Sequence, residues 1–365
     1  MQQELRAPKR LGWATCAVAL AGMTLAATVG VRAAARPASA AAADAAGPSG
    51  YHLIKTIPVA GDTFWDYLKY EPSTHRLFIS RGTHIAVVNV EDGTMVGDIP
   101  NTDGAHDIVL APEFNRGFVT AGEAGKLVIF DLKTLKVIGS APTDKDDDGA
   151  VYDPASKRVF TMNGDSHSST VVDAKTGKVV GTIALGGGPE FPVADGHGHV
   201  YVNLETTSEI LEIDSQSLKI LHRWPIAPGT SPSGLAIDAE HGILFSGCRN
   251  NMMVIVNAKD GKVLATPAIG PGVDATRFDP ATGDAFSSNG GNGTLTVIHE
   301  DSPTSFHIVE NVKTERGART MALDPTTHDV FLATAQVTRI QNPPPHTRPY
   351  KMVPGSFHVL VFGKN

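Results

Sequence analysis

The segment "DPASKRVF", residues 153–160, decides the fold because it is one copy of a frame that recurs along the chain. The frame is an acidic or small residue, usually followed by proline, then four variable residues, a small apolar residue and an aromatic residue. Seven copies carry the aromatic residues Phe78, Phe118, Phe160, Tyr201, Phe245, Phe286 and Phe331, which lie 40, 42, 41, 44, 41 and 45 positions apart. A period of about 42 residues indicates a repeat protein in which each copy is one structural unit.

Each unit has the pattern of four short strands. Runs such as "HIAVVNV" (84–90) and "KLVIFDL" (126–132) follow the aromatic residue, and a turn such as "EDG" (91–93) leads into a further run, "TMVGDI" (94–99). Alternating apolar runs between turn residues predict strands, and no stretch beyond the N-terminal segment has sustained helical periodicity. Four antiparallel strands repeated around an axis form a propeller blade, so the sequence predicts an all-β, seven-bladed β-propeller.

The two ends of the repeat region complement each other. The seventh copy ends in "FHVLVFGKN" (357–365), which supplies its third strand, whereas "YHLIKTIPVAG" (51–61) precedes the first copy and is similar to the fourth strands. We therefore expect the N-terminal strand to close the last blade, which removes an exposed sheet edge. The alternative, a linear array of sheets, leaves both pieces unexplained.

The N-terminus has the features of an export signal. Arg6, Lys9 and Arg10 precede an uncharged apolar run over 11–31, and an A-x-A-like site follows at 38–40, which predicts a signal peptide over residues 1–40. The run of about 21 residues is also long enough to span a bilayer, so an uncleaved membrane anchor is the alternative. Residues 41–50 form an Ala-rich linker, expected to lack fixed structure, and 51–365 form the propeller. The protein is expected to be periplasmic or extracellular, with the membrane as a partner only if the segment is uncleaved.

The charge and the cysteines exclude several classes of protein. The formal charge is −7, and residues 1–40 contain five of the 31 basic and one of the 38 acidic residues, so the remaining chain is at −11. This charge argues against nucleic-acid binding, which depends on phosphate neutralisation. Cys248 is the one cysteine beyond the signal, so an internal disulfide is not expected. We find no C-x-x-C-H haem motif, no G-x-S-x-G motif and no Walker loop, and we expect a monomer.

One equivalent position per copy gives a candidate site. The innermost strands of a propeller line its central channel, and the loops that lead into them surround one mouth of the channel. Five residues before the first residue of each frame stand Asp66, His106, Asp148, Glu190, Ser233, Asp274 and Arg319. Carboxylates around one funnel repel unless a cation or protons compensate, so this ring predicts a ligand or metal site. The alternative is that these positions are polar only because they face water.

The expected metal ligands are Asp148, Glu190 and Asp274. Oxygen ligands suit a divalent cation such as calcium or magnesium, and His106 would also permit a transition metal. Residues 144–149 read D-x-D-x-D-G, like the start of a calcium loop, but the twelfth position is Ala155 instead of a bidentate glutamate. We therefore interpret Asp144, Asp146 and Asp147 as solvated turn residues, and Asp148 as a member of the ring.

The seventh copy contains a long insertion, residues 335–356. Pro343, Pro344 and Pro345 are expected to stiffen it as an extended strut. Its polar and aromatic residues His346, Arg348 and Tyr350 are candidate ligand-binding groups, since a loop of this length in a compact repeat often has a function. A tolerated surface insertion is the alternative.

One copy also carries a family signature. The segment "VYVNLETTSEILEID", residues 200–214, contains Tyr201, Val202 and Asn203, close to the Y-V-T-N signature. The chain resembles the YVTN β-propeller repeat family, the YncE-like exported propellers, over about residues 51–365. The resemblance implies an exported propeller and leaves the function open, because family members have surface, binding and enzymatic roles.

Two hypotheses follow. The first is an exported binding or scaffold protein, with a small molecule, a cation or a protein partner at the acidic funnel. The alternative is a metal-dependent lactonase-like or lyase-like enzyme at the same funnel, with His106 or Glu190 as the base. We favour the first because the sequence has no recognisable catalytic motif.

Overall fold

The structure is a computed structural model that describes residues 47–342 and 350–364. The predicted signal peptide, most of the linker, the three prolines of the insertion and the candidate residues His346 and Arg348 lie outside the described residues. Among the described residues, no helix has the length and hydropathy required to cross a bilayer.

Thirty strands and three short 3-10 turns make up the regular structure of the described residues. The chain begins with β1 (His52–Pro58). The first blade contains β2 (Leu68–Glu71), β3 (Arg76–Ser80), β4 (Ile85–Asn89) and β5 (Met95–Ile99), and the second contains β6 (Ala105–Ala111), β7 (Arg116–Ala121), β8 (Lys126–Asp131) and β9 (Val137–Pro142). The turns are Pro72–Thr74, Pro112–Phe114 and Gly122–Ala124.

The third to sixth blades repeat this order. The third contains β10 (Asp147–Asp153), β11 (Arg158–Asn163), β12 (Ser168–Asp173) and β13 (Val179–Ala184), and the fourth contains β14 (Pro189–Ala194), β15 (His199–Leu204), β16 (Glu209–Asp214) and β17 (Lys219–Pro225). The fifth contains β18 (Pro232–Asp238), β19 (Ile243–Cys248), β20 (Met252–Asn257) and β21 (Val263–Ala265). The sixth contains β22 (Val273–Asp279), β23 (Asp284–Asn289), β24 (Thr294–Ser302) and β25 (Ser305–Lys313).

The seventh blade is closed by the N-terminal strand. It contains β26 (Met321–Leu323), β27 (Val330–Thr334) and β30 (His358–Gly363), and β1 is its fourth strand, antiparallel to β30 with His52 opposite Gly363. The insertion adds a separate two-stranded hairpin of β28 (Val337–Arg339) and β29 (Tyr350–Met352). The prediction of an all-β, seven-bladed propeller is confirmed, and the closing strand lies where the sequence placed it.

The recurring frame has a clear physical role. Its aspartate accepts the backbone N–H two residues further on, at 3.2 Å from Ala155 to Asp153 and at 2.8 Å from Thr326 to Asp324. This side-chain bond stabilises the tight turn between the inner strand and the second strand of the blade. The frame aromatics on the second strands are all buried, at 4% exposure or less, and form much of the core.

The end of the predicted linker is ordered. Ser49 is buried, and its hydroxyl and backbone N–H bind Glu310 at 2.7 and 3.0 Å. The expectation of a linker without fixed structure is therefore wrong from Gly47 onwards. The Ala-rich composition does not indicate this order, because the contact that fixes Ser49 is made with Glu310 in the sixth blade.

Candidate functional site

β-Bulges place the predicted ring residues at the channel mouth. In five blades the pairing of the inner strand with the second strand shifts at the same place, between residues such as Ala105 and Ile108 or Asp147 and Ala150. The first residue inside each bulge is His106, Asp148, Glu190, Ser233 or Asp274. A bulge changes the direction of its side chain, which explains why these residues occupy equivalent places. Asp66 and Arg319 lie two residues before β2 and β26.

His106 lies between two carboxylates. Its Nδ1 is 2.8 Å from Oδ2 of Asp66 and 2.9 Å from Oδ1 of Asp148. Burial by itself would lower the pKa of His106, but the close carboxylates of Asp148 and Asp66 outweigh it and raise the pKa to about 11. The hydrogen-bond geometry of Nδ1 favours Asp66, so the buried Oδ1 of Asp148 has no hydrogen bond of its own.

Arg319 joins the other side of the ring. Its Nε donates to Oδ2 of Asp274 at 2.6 Å, and its Nη2 lies 3.3 Å from Oδ1 of Asp66. Ser233 donates to Oδ1 of Asp274 at 3.0 Å. Burial would lower the pKa of Arg319, but Asp66 and Asp274 raise it overall. Six of the seven predicted residues thus form one connected network: Asp148, His106, Asp66, Arg319, Asp274 and Ser233.

Glu190 belongs to a separate group. Arg249 donates to Oε1 of Glu190 at 3.4 Å and lies 3.1 Å from Oε1 of Glu205. Burial raises the pKa of Glu190, and a hydrogen bond with Glu205 raises it further. Glu190 and Glu205 therefore pair with each other beside Arg249. Neither Arg249 nor Glu205 was predicted, because both lie on loops outside the repeated position.

The structure groups the potential metal ligands differently from the sequence prediction. Donor atoms of Asp66, His106 and Asp148 all lie within 4.8 Å of one another. The predicted set of Asp148, Glu190 and Asp274 does not converge in this way, because Glu190 pairs with Glu205 and Asp274 pairs with Arg319. The spacing along the chain identifies one candidate residue in each blade. Which of their metal-ligating atoms lie close together depends on how the side chains pair.

Asp147 corrects the interpretation of the acidic segment. Its side chain is buried, and Oδ2 accepts a hydrogen bond from Thr143 at 2.9 Å. Burial raises the pKa of Asp147 to about 7. The prediction of a solvated Asp147 is wrong, since the residue is the first of strand β10, whereas Asp144 and Asp146 are exposed.

A cavity of about 520 Å³ adjoins the ring at the mouth. Phe64, Trp65, Val337 and Tyr350 supply its apolar surface, and Arg316 and Arg319 supply its charges. Arg319 and Tyr350 were both predicted, and here they line the same cavity. Phe64 and Trp65 were not predicted, although two aromatic residues directly before Asp66 in the sequence could have indicated an apolar wall beside the ring.

The side chains of Tyr67 and Phe191 lie in the channel, below the seven predicted residues at its mouth. Tyr67 packs on Phe191 with ring centroids 4.9 Å apart, and its hydroxyl donates to the carbonyl of Asp274 at 3.4 Å. Both rings are buried. Burial raises the pKa of Tyr67, and the ring carboxylates Asp274, Glu190, Asp148 and Asp66 raise it further. The pair therefore separates the acidic mouth from the rest of the channel.

Comparisons with known proteins support the fold. No family model matches the sequence, and no curated protein matches it. Among solved structures, the chain is similar to a chain of hydrazine synthase from Kuenenia stuttgartiensis, with a TM-score of 0.66 and 13% identity over 75% of this chain and 94% of that one. It is also similar to a chain of the mitotic checkpoint complex, with a TM-score of 0.67 and 13% identity over 86% of this chain and 96% of that one. At this identity the similarity shows the fold, a β-propeller, and leaves the function open.

Proposed function

We propose that this chain is an exported binding protein that takes a small molecule at the funnel mouth. The apolar part of the ligand lies against Phe64, Trp65 and Tyr350, and its polar group meets Arg316 and Arg319. The observation that carries this proposal is the cavity of about 520 Å³ that combines aromatic side chains with an arginine of the ring. Pockets of this size with an apolar wall and few polar groups are typical ligand sites.

Export and family membership are part of the same proposal. They rest on the basic and apolar N-terminal segment and on the Y-V-T-N-like residues 201–203. A protein partner at the mouth is the competing occupant, since the hairpin of β28 and β29 exposes Val337 and Tyr350. The cavity favours the small molecule because it is recessed between the hairpin and the blade loops.

A fluorescent probe tests the proposal. We expect 1-anilinonaphthalene-8-sulfonate, an aromatic anion, to bind the folded protein, and Tyr350→Ala and Arg316→Ala each to weaken it about tenfold. Leu221→Ala is the matched control, because Leu221 is as exposed as Tyr350 (44% and 45%) and lies on the outer strand β17. Unchanged affinity in both mouth variants would contradict the proposal.

The enzyme alternative has one observation in its favour. Asp66, His106 and Asp148 offer one nitrogen and two carboxylate oxygens to a single divalent cation, and the buried Oδ1 of Asp148 has no hydrogen bond. Such a cation would supply Lewis acidity at the funnel. His106 and Glu190 are poor general bases at neutral pH without it, because the pKa of each is raised.

Metal titration separates the two candidates. If the triad binds a cation, Mn²⁺ or Zn²⁺ added to chelator-treated protein will raise the melting temperature, and Asp148→Asn will abolish the rise. Asp144→Asn is the control, because Asp144 is an exposed acid close in sequence. A metal-dependent rise together with turnover of a lactone panel would favour the enzyme, and a rise without turnover would favour a binding protein.

A further inference from the structure

A second set of seven equivalent positions lines the channel below Tyr67 and Phe191. Each lies two residues before the first residue of a frame and is the cross-strand partner of the frame aromatic, as in Lys69 with Phe78 and Arg277 with Phe286. The seven residues are Lys69, Val109, Val151, Val193, Ala236, Arg277 and Ala322. Five of them are valine or alanine, so the two cations are exceptions in an apolar ring.

These positions surround a cavity. Six of the seven, all except Ala322, line a space of about 310 Å³ in the channel. Leu235 and Phe191 add apolar wall, and Asp107 adds one carboxylate. The cavity therefore combines a valine-rich wall with two positive charges, Lys69 from the first blade and Arg277 from the sixth. Only the seventh blade, which contributes the small Ala322, lies between these two blades, so both charges are on one side.

The two cations lack an acidic partner. Within residues 47–342 and 350–364, no carboxylate oxygen lies within 4.0 Å of the Lys69 or Arg277 nitrogens. Arg277 donates to the carbonyl of Thr276 at 2.8 Å and lies over the Phe191 ring at 4.7 Å. Burial lowers the pKa of Lys69, and the charge of Arg277 lowers it further, so the two like charges act on each other.

Asp107 offsets this charge only in part. It raises the pKa of both Lys69 and Arg277, but its oxygens already accept the N–H groups of Ile108 at 2.7 Å and Ala150 at 3.1 Å. Lys69 is exposed to the channel and Arg277 is half-buried, so both can meet a ligand, and an anion that bridges the two cations gains charge-assisted hydrogen bonds. A cationic ligand would meet two like charges, and a neutral one would leave them unpaired.

We propose that this lower cavity is a second binding site, for a small organic anion whose negative group lies between Lys69 and Arg277 and whose apolar part lies against the valine wall. The site is separate from the funnel mouth and does not depend on the function proposed there. A ligand for this site needs a negative charge and a compact apolar body. The cations Lys69 and Arg277 would bind the charge, and the valines of the same set of positions would contact the apolar body.

Calorimetric titration with benzoate tests the site. We expect benzoate to bind and the neutral benzamide to bind at least tenfold more weakly. Lys69→Val and Arg277→Val are each expected to weaken benzoate about tenfold to a hundredfold, the range for a lost bond to a charged group. Both variants copy residues found at the equivalent positions of other blades, so the fold is expected to be retained, and circular dichroism and melting temperature check this. Lys219→Val, on an exposed position of β17, is the control.

The location is tested separately. Tyr350→Ala, in the mouth cavity, should leave benzoate affinity unchanged, and the bromine of 4-bromobenzoate in a soaked crystal should lie in the lower cavity. Absence of benzoate binding to the folded protein would overturn the proposal. Equal binding of benzamide, or full affinity in both Lys69→Val and Arg277→Val, would also overturn it.

Discussion

Nε of Arg319 donates a hydrogen bond to Oδ2 of Asp274 at 2.6 Å, and this contact joins the sixth and seventh blades across the channel mouth. Both side chains are mostly buried, at 26% and 19% exposure. Because Arg319 also reaches Asp66 in the first blade, it connects three blades. The seventh blade contains the junction of the two chain ends, so this network reinforces the place where the propeller closes.

Removing Arg319 should strongly destabilise the protein. Arg319→Leu leaves Asp66 and Asp274 without their shared cation, and loss of one partner of a buried pair costs about 3–5 kcal/mol. Urea unfolding at pH 7 measures the change. Arg319→Lys should lose less, because lysine keeps the positive charge between the two carboxylates, although its compact ammonium lacks the planar fork of donors of the guanidinium. The double variant Arg319→Leu with Asp274→Asn should recover part of the loss, and no recovery would show that the ion pair is not the cause.

His106 should make stability depend on pH. Folding raises its pKa from 6.5 to about 11, so the stabilisation is fully present below about pH 6.5 and is lost as the pH rises towards 11. His106→Gln should therefore lower the free energy of unfolding by about 2 kcal/mol at pH 6. The difference from the parent protein should shrink by pH 10. His167→Gln, at an exposed turn position, is the control variant.

The closing strand can be tested by one buried side chain. Ile57 in β1 is 1% exposed and packs in the core of the seventh and first blades. Ile57→Ala should lower the free energy of unfolding by about 2–5 kcal/mol. Ile54→Ala, at 44% exposure in the same strand, should change it by less than about 0.5 kcal/mol. Equal effects of the two variants in chemical unfolding would argue against a packed closing strand.

Anion binding in the lower cavity should strengthen at acidic pH. Burial raises the pKa of Asp107 to about 6, so lowering the pH through 6 removes the carboxylate that offsets Lys69 and Arg277. The remaining titratable group on the wall is Tyr152, whose hydroxyl binds Glu113 at 2.5 Å. Benzenesulfonate keeps its charge over this range, and its affinity measured by calorimetry should rise several-fold from pH 7.5 to 5.

The pH trend has its own control. Asp107→Asn should bind benzenesulfonate more tightly at pH 7.5 and remove the dependence on pH. Asn at this position still accepts one backbone N–H, which preserves part of the native bonding of Asp107. A pH trend that persists in Asp107→Asn would assign it to another group.

The repeat predicted the architecture well because each part of it has a local cause. Asp153 stabilises the turn of its frame through its own side chain. The aromatic residue of each frame, such as Phe160, is buried in the core. The number of frames predicts seven blades. The segments 51–61 and 357–365, which each lack a partner within their own repeat, predict that the N-terminal strand closes the last blade. The ordered Ser49 was not predictable, because its partner Glu310 is 261 residues away.

The places of the ring residues followed from the sequence, but their pairing did not. Equal spacing from the frame identified Asp66, His106 and Asp148, and the bulges in the inner strands give the ring positions equivalent places. Nothing in the spacing indicated that His106 would bind both carboxylates, or that Glu190 would pair with Glu205. The positions of Lys69 and Arg277 follow from the same spacing, because each lies two residues before a frame. Their place on the channel wall required the structure, which shows that the inner strand faces the channel.

The sequence by itself determined the all-β class, the seven blades, the closure by the N-terminal strand and the polar composition of the channel mouth. These follow from patterns within about 42 residues, where turns, alternation and buried aromatics are local. Only the tertiary structure decided which charges meet, that Asp147 is buried, and that Tyr67 and Phe191 divide the channel. Those features depend on side chains from different blades, and their distances are fixed only when the ring of blades closes.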